Sequence, residues 1–498
     1  MQVAVIGAGL GGLAAAARLA GAGMEVTVFE QNEAVGGKAG ELICDGFRFD
    51  TGPSLLTMPF VVDALFADLK ERRADCVDFH PLAVLCRYQF TDGTVLRSCP
   101  DVETFGAAVA AATTDSSRSV LRFMAHSEVL YRLAADFYLF RPLSGWLSYG
   151  RGVSREKGFW ALRHLPHLGF AKSMHRLHAR YFRDPRVVQL FDRYATYTGS
   201  DPFRCPATLA LIPHVEHRLG ACTVSGGTYR LVEAIRELAL RQGVQILTGA
   251  RVEGIAHDGR QVRGVMVDGQ TRRFDAVVSA IDVNTTYQQL LDGWPLPSGR
   301  RHSRRDPSTS AIVFYWGVRG EFADLETHNI FFSHDYRREF GELRRGRCPA
   351  DPTVYLYRSC SYAPADAPSG HENWFVMVNA PPDLGQVWEH ETQVVRSAIL
   401  LRLKSALNVD VAPRVVSERI LTPPAIAACT GSHRGSLYGP ASHGLVATFQ
   451  RHPNRSRELK GLYFCGGSAH PGGGMALVLI SASLACSELL RDSQGLQP

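Results

Sequence analysis

The 498-residue chain has no CxxC pair among its eleven cysteines, and their number is odd. That argues against the common zinc-cluster spacings and against a fully paired disulfide framework. The cysteines read instead as small buried residues of a chain kept in a reducing compartment. Charge of one sign is barely in excess. The 54 Lys and Arg against 48 Asp and Glu leave a formal +6, too mild to argue for a nucleic-acid partner. Overall charge is also modest, 20% of residues beside 45% hydrophobic ones, which excludes a largely disordered chain. No apolar run reaches the roughly 20 residues of a membrane-crossing helix. The nearest, residues 475–490, is interrupted by Ser481, Ser483 and Ser487, so membrane contact is expected to be peripheral. The first apolar stretch, MQVAVIGAGLGG, lacks the basic residues that open a signal peptide. No Ser-His-Asp spacing, metal-ligand motif or pair of catalytic carboxylates stands out, so the catalytic residues stay unknown and no metal site is assigned.

What the chain does have is glycine, 47 residues of it, and its placement is specific. QVAVI reads as a short strand, Gly7-Ala-Gly9-Leu-Gly-Gly12 follows at once, LAAAARLAGAG reads as a helix, and EVTVFE is a second strand ending in Glu30. This is the strand, glycine turn, helix, strand order of a dinucleotide fingerprint. Gly7 permits the tight turn, Gly9 lets the backbone approach a pyrophosphate, and Gly12 allows close helix–strand packing. The helix N-terminus favours the phosphate charge. Glu30 is suited to accept hydrogen bonds from a ribose, and its acidity argues against a bound 2′-phosphate.

Gly36-Gly37-Lys38-Ala39-Gly40 and then GFRFDTGPS, residues 46–54, come next. With these the sequence resembles the flavin-binding amine oxidase and phytoene desaturase superfamily. The resemblance implies FAD as cofactor. It places Gly37 and Lys38 beside phosphate, and Asp50, Gly52 and Pro53 near the cofactor.

Residues 78–100 read as a hairpin turning at Asp92-Gly93, and a mainly helical stretch runs from about 101 to 200. Within it, residues 157–183 carry no acidic side chain, but Lys157, Arg163, Lys172, Arg176, Arg180, Arg183 and four histidines, with apolar residues interleaved. Such a segment suits an anionic bilayer surface or a solvated cap, and Pro166 breaks any single helix across it. From Ser225 to Asp282, a glycine turn leads into a helix and then strands over 244–248, 250–256, 262–267 and 274–280. In the resembling flavoproteins this block returns to the nucleotide domain, and Val252 matches the valine whose backbone meets adenine. Between 285 and 420, SAIVFYWGV, TVYLYRS and NWFVMVNAP read as strands lining or flooring an apolar cavity, or as an ordinary sheet core.

Near the end, GLYFC reads as a strand running into Gly466-Gly467, then His470-Pro471-Gly472-Gly473-Gly474, with Met475 opening an apolar helix. A second glycine loop feeding a helix N-terminus suits the flavin end of the cofactor. His470 reads as a residue that orients this loop or moves a proton. His214, Glu216 and His217 form a further polar patch, and Asp136 and Arg141 stand near one end of the long helical stretch. GSLYG at 435–439, RHPN at 451–454, GGSAHPGGGM and RYATYTGSDP at 193–202 resemble the bacterial carotenoid desaturases of the phytoene-desaturase type over essentially the whole chain. In place of the small or proline residues of a familiar desaturase, Met475-Ala476-Leu477 follows the glycines.

The resemblance implies an α/β fold: a Rossmann-like FAD-binding domain of the amine oxidase/phytoene desaturase type, an α+β substrate domain and a helical membrane-facing cap. The expected division gives residues 1–75, 225–284 and 421–498 to the FAD-binding domain, 76–224 to the substrate and cap region, and 285–420 to the β-rich substrate region. The implied activity is FAD-dependent desaturation of a long acyclic polyene, phytoene-like or hydroxylated, with 3,4-desaturation of a hydroxycarotenoid included. A carotenoid oxygenase or polyene saturase on the same scaffold is the alternative. The implied partners are the polyene, a membrane surface on its cytoplasmic side, and quinone or oxygen as electron acceptor. The expected cofactor-binding residues are Gly7, Gly9, Gly12, Glu30, Gly37, Lys38, Gly52, Pro53, Val252, Gly466, Gly467, Gly474 and Met475.

Overall fold

A computed structural model describes residues 1–143, 155–169, 172–291, 296–444 and 450–495. The nucleotide half is built on a five-stranded parallel sheet. Its order is Gln245–Leu247, Glu25–Phe29, Gln2–Ile6, Ala276–Ser279, Leu462–Phe464. Three stretches of chain far apart in sequence therefore contribute to one sheet. Strands buried on both faces read as near-continuous apolar runs, and Ala276–Ser279 and Leu462–Phe464 are buried throughout.

Helix Leu10–Gly21 follows the central strand. Its Ala14, Ala15, Ala16 and Ala17 are fully buried, because small side chains let the helix sit between the sheet and the C-terminal helix Met475–Ser493. The tightest approach is at Gly12. A methyl group there would come 2.0 Å from the Gly7 carbonyl oxygen, so only glycine fits.

The other half rests on a seven-stranded sheet ordered Val415–Leu421, Ser310–Arg319, His371–Ala380, Val354–Tyr357, His328–Phe331, Cys86–Gln89, Val95–Ser98. All its pairings are antiparallel except that between His328–Phe331 and Cys86–Gln89. Side chains alternate faces along a strand. Ile312, Phe314, Trp316 and Val318 pack with Trp374, Val376 and Val378 on the helix Trp388–Leu407. Ala311, Val313, Tyr315 and Phe375 form a separate cluster on the opposite face.

The hairpin at Asp92-Gly93 forms, with Gly93 at φ 86°, but only over Cys86–Gln89 and Val95–Ser98. Phe79–Pro81, expected in the same hairpin, instead pairs with Ala221–Val224, which also pairs with Leu56–Thr57. The helical stretch comprises Val102–Ala112, Ser117–Ala134, Arg155–His164, Met174–Tyr181 and Pro185–Asp192. Pro166 falls in a short 3₁₀ turn, Leu165–Leu168, after the break. Residues 170 and 171 of the basic segment lie outside the described residues. Among the described residues, no helix is long and apolar enough to cross a membrane, and no cluster of His, Cys, Asp or Glu is placed to hold a metal ion. All eleven cysteines are free thiols.

Candidate active site

A cavity of about 1910 Å³ runs between the two sheets. Gly7, Gly9, Glu30, Gly37, Lys38, Gly52, Pro53, Val252, Gly466, Gly467, Gly474 and Met475 all line it. Gly12 does not; it packs against Gly7 and Ala280 behind the turn. Two helices, Leu10–Gly21 and Met475–Ser493, point their N-termini into the same space, and the positive end of each helix dipole favours an anion there. A methyl group on Gly9 would meet nothing nearer than 3.8 Å, and one on Gly474 nothing within 4 Å. That open room beside backbone is the cradle a pyrophosphate requires.

Glu30 ties the first glycine turn to the second strand. One carboxylate oxygen accepts from the Ala8 amide at 2.8 Å; the other accepts from the Asn32 amide at 3.0 Å and the Asn32 side chain at 2.8 Å. A carboxylate has about four lone-pair positions, so capacity remains for a ribose hydroxyl. The glycine cradles, the helix termini and this acidic residue fit FAD. The volume also exceeds the roughly 300–1,000 Å³ of a typical ligand pocket, which leaves room for a second, large molecule.

Two expected residues are used differently. The Lys38 ammonium donates to the carbonyls of Leu437 at 2.6 Å and Ser436 at 3.1 Å. It fastens the first glycine region to the C-terminal segment, and one of its three N–H donors remains on a side chain that lines the cavity. Burial pulls it down to about 8, with Asp282 opposing. Asp50 does not line the cavity. It pairs with Arg48 at 3.0 Å and accepts from the Tyr229 amide and the Tyr357 hydroxyl, a buried network that holds the Phe47–Asp50 strand in place.

The C-terminal motifs act as supports for the second glycine loop. Arg451 donates to the carbonyls of Gly467 at 2.9 Å and Tyr438 at 3.1 Å. The Asn454 amide donates to the carbonyls of His470 at 2.9 Å and Phe464 at 3.1 Å, and to Ser481. His470 is fully buried and turned away from the cavity. Its Nε2 reaches the carbonyls of Arg141 at 2.8 Å and Tyr138 at 3.1 Å, and burial pulls the imidazole down to about 4. It orients the loop, as one of the two sequence-based readings has it. Asp136 pairs with Lys157 at 2.7 Å, away from the cavity.

Opposite the glycine loops, the floor is apolar: Ala311, Val313, Tyr315, Phe375 and Met377. The cap closes the other side with Leu130, Leu133, Phe137, Ala161, Leu162 and Leu165. Of the His214, Glu216, His217 patch, only Glu216 lines the cavity. His214 stacks on Tyr131 and His217 bonds the Cys99 carbonyl. The residues sequence reasoning missed are Arg193 and His328, which join Glu216 on one cavity wall. Arg193 was within reach, as the first residue of the RYATYTGSDP motif. His328 carries no local signal.

Comparison with known proteins agrees with this geometry. The model of the family described as flavin containing amine oxidoreductase matches residues 10–490. The chain is 37% identical over 486 residues to a 1-hydroxycarotenoid 3,4-desaturase of Flavobacterium sp. (strain P99-3), covering 96% of this chain and 97% of that one. It is 34% identical to a 4,4'-diapolycopene oxygenase of Methylomonas sp., over 99% of each chain. Among solved structures, an oxidoreductase from Methanosarcina mazei shares the fold, with a TM-score of 0.62 at 18% identity over 97% of this chain and 99% of that one. The chain belongs to the flavin containing amine oxidoreductase family and is an FAD-dependent oxidoreductase.

Proposed function

We propose that the chain desaturates a long acyclic carotenoid, removing a hydride and a proton from adjacent carbons to leave a new conjugated double bond. The observation that carries this reading is the cavity. Its apolar floor and cap continue directly from the glycine loops, in a volume larger than the cofactor site alone requires. The relatives' names add the substrate class, and the first of them points to a hydroxylated polyene reacting near its end.

When bound, FAD supplies the hydride acceptor. The proton from the adjacent carbon passes to a base on the cofactor or on the cavity wall, and the chain's own residues bind, orient and enclose the reactants. Gly7, Gly9, Gly466, Gly467 and Gly474 supply a backbone cradle with no side chains in the way, and Glu30 supplies a ribose acceptor. Val313, Tyr315, Phe375 and Met377 hold an extended hydrocarbon against that cradle, and the enclosure excludes water. An electron acceptor, oxygen or a quinone from the membrane, completes the cycle.

The polyene enters from lipid at the cap. Phe159 and Leu162 on the helix Arg155–His164 are 72% and 66% exposed, and Phe60, Phe140 and Leu165 are exposed as well. Gly158, Ala161, Leu162 and Leu165 of the same region line the cavity. One helix thus presents apolar side chains outward and walls the cavity inward, beside the exposed charge of Arg163, which favours an anionic leaflet. In the later half of the basic segment Arg176, Arg180 and Arg183 are exposed, while the opposite side of the helix Met174–Tyr181 packs inward. Met174, Leu177 and His178 are buried, and His175 and His178 bond Asp192. We place the enzyme peripherally, on the cytoplasmic side of the membrane.

The oxygenase relative favours a second reading, oxygen insertion on the same scaffold. Phytoene, neurosporene and a 1-hydroxycarotenoid supplied separately in liposomes, without oxygen and with added quinone, separate the two. Desaturation gives a red-shifted product lighter by one pair of hydrogens per step. A product gained only in air and heavier by oxygen establishes the second reading.

A further inference from the structure

One polar wall of the cavity plays no part in cradling a dinucleotide. Arg193, Tyr197, Glu216 and His328 line it, from the turn Arg193–Thr198, the helix Ile212–Arg218 and the strand His328–Phe331. Glu216 is satisfied. It accepts from the Tyr194 hydroxyl at 2.7 Å and from the Tyr197 hydroxyl, and lies 3.6 Å from the Arg193 guanidinium. His328 is not. Its Nδ1 is 2.8 Å from the Tyr355 hydroxyl, but its Nε2 is buried with no partner among the described residues, on a side chain 3% exposed. The Arg193 Nε is likewise buried and unpartnered. Buried polar atoms are normally paired, and an exception calls for a ligand or a water.

The chemistry narrows the ligand. Burial holds the imidazole neutral, pulled down to about 4, so Nε2 is a donor in one tautomer and an acceptor in the other. A hydroxyl donates and accepts, and satisfies either tautomer. A carbonyl satisfies one, and a hydrocarbon neither. Position narrows it further. The Tyr355 hydroxyl is 2.6 Å from Ser54 Oγ, and Ser54 directly follows Gly52-Pro53. The wall is therefore tethered to the cofactor-side segment, where reacting carbons belong.

We infer that His328, backed by Arg193, Glu216 and Tyr197, receives a hydroxyl carried on the polyene a few bonds from its reacting carbons, and makes the enzyme select the hydroxylated polyene over its parent hydrocarbon. This rests on the desaturase reading above. His328 acts here as a specificity-determining residue.

The test uses the FAD-loaded full chain with liposomes containing either a 1-hydroxylated acyclic carotenoid or the same polyene without the hydroxyl. Two quantities are read: kcat/KM for flavin reduction without oxygen, and polyene affinity from quenching of protein fluorescence. A site built to bond a hydroxyl rejects the analogue lacking it by on the order of 10⁴-fold, and a ratio of that order is expected for the wild type. In His328→Phe, which keeps a ring to stack on Tyr357, the ratio should collapse toward unity in both readouts; His328→Gln should restore part of it. Retained flavin absorption certifies the fold, and Tyr355→Phe serves as a second variant that withdraws support from Nδ1. Equal turnover of both polyenes by the wild type, or full selectivity kept by folded His328→Phe, overturns the inference and leaves the desaturase reading standing. Reduction by neither polyene overturns both.

Discussion

The two large sheets of this molecule meet the same cavity in different ways. The parallel sheet is covered on both faces and meets the cavity at its strand ends, through Ile6, Phe29 and Glu30 and through backbone at Gly7, Gly9, Gly466 and Gly467. The seven-stranded sheet gives one face to the helix Trp388–Leu407 and the other to the cavity, through the alternate side chains Ala311, Val313 and Tyr315. Where backbone carries the site, an added side chain takes up room meant for the cofactor, or, at Gly12 behind the turn, room that does not exist. Function carried by side chains on a broad floor tolerates change in kind and is tuned residue by residue.

The sharpest way to break that contrast is at Gly12. Gly12→Val would drive side-chain carbons into the Gly7 carbonyl, 2.0 Å from the first added atom. The expected cost exceeds about 4 kcal/mol, read as loss of folded, flavin-bearing protein. A folded variant with stoichiometric FAD would show that the packing argument is wrong. By contrast, Val313→Ala on the floor should keep its flavin and change only substrate kinetics and stability, the latter by about 1–2 kcal/mol.

Asn454→Ala comes next. It removes the donor that joins the His470 and Phe464 carbonyls and Ser481, each left buried. The expected loss is roughly 2–4 kcal/mol, seen as a lower denaturant midpoint together with faster flavin release.

Acid sensitivity should be shared among the buried histidines, of which His470 and His452 hold the second glycine loop and His328 stands on the polar wall. His470 is pulled from 6.5 down to about 4 by burial, so the unfolded chain takes up a proton at a pH where the folded chain does not. Its contribution is full above pH 6.5 and is lost as pH falls toward 4, on the order of 3 kcal/mol. His470→Gln should flatten that slope in a stability-versus-pH series. An unchanged slope would assign the acid lability elsewhere.

The smallest effect on stability is expected at the cap. Phe159→Ser with Leu162→Ser, both exposed, should shift stability by less than about 1 kcal/mol, yet sharply reduce flotation with anionic liposomes. Undiminished flotation would move the lipid contact to another surface.

The same contrast explains what was legible in the sequence. Gly7, Gly9, Gly12 and Glu30 lie within one strand–turn–helix–strand unit, so spacing alone gives their roles. The loop from Gly466 to Met475 is readable for the same reason. The polar wall is not, because Arg193, Glu216 and His328 come from three elements and meet only in the folded chain. Lys38 and Asp50 sit in readable motifs, but their partners, Leu437 and Tyr357, are hundreds of residues away. Phe79–Pro81 pairs outside the expected hairpin, since alternation marks a strand without naming its partner. The floor of the substrate sheet was legible as strands, while its two faces were separable only once Trp374 and Trp316 were seen packed away from the cavity.

In the proposed reaction this cavity presents a long hydrocarbon to the cofactor cradle. That presentation is tested most directly by the bound flavin itself, with oxygen removed. Liposomes carrying an acyclic carotenoid should bleach the oxidised flavin absorption while the polyene band shifts to the red and the product loses one pair of hydrogens. Flavin that stays oxidised with every carotenoid, but is reduced by simple amines, would contradict the account.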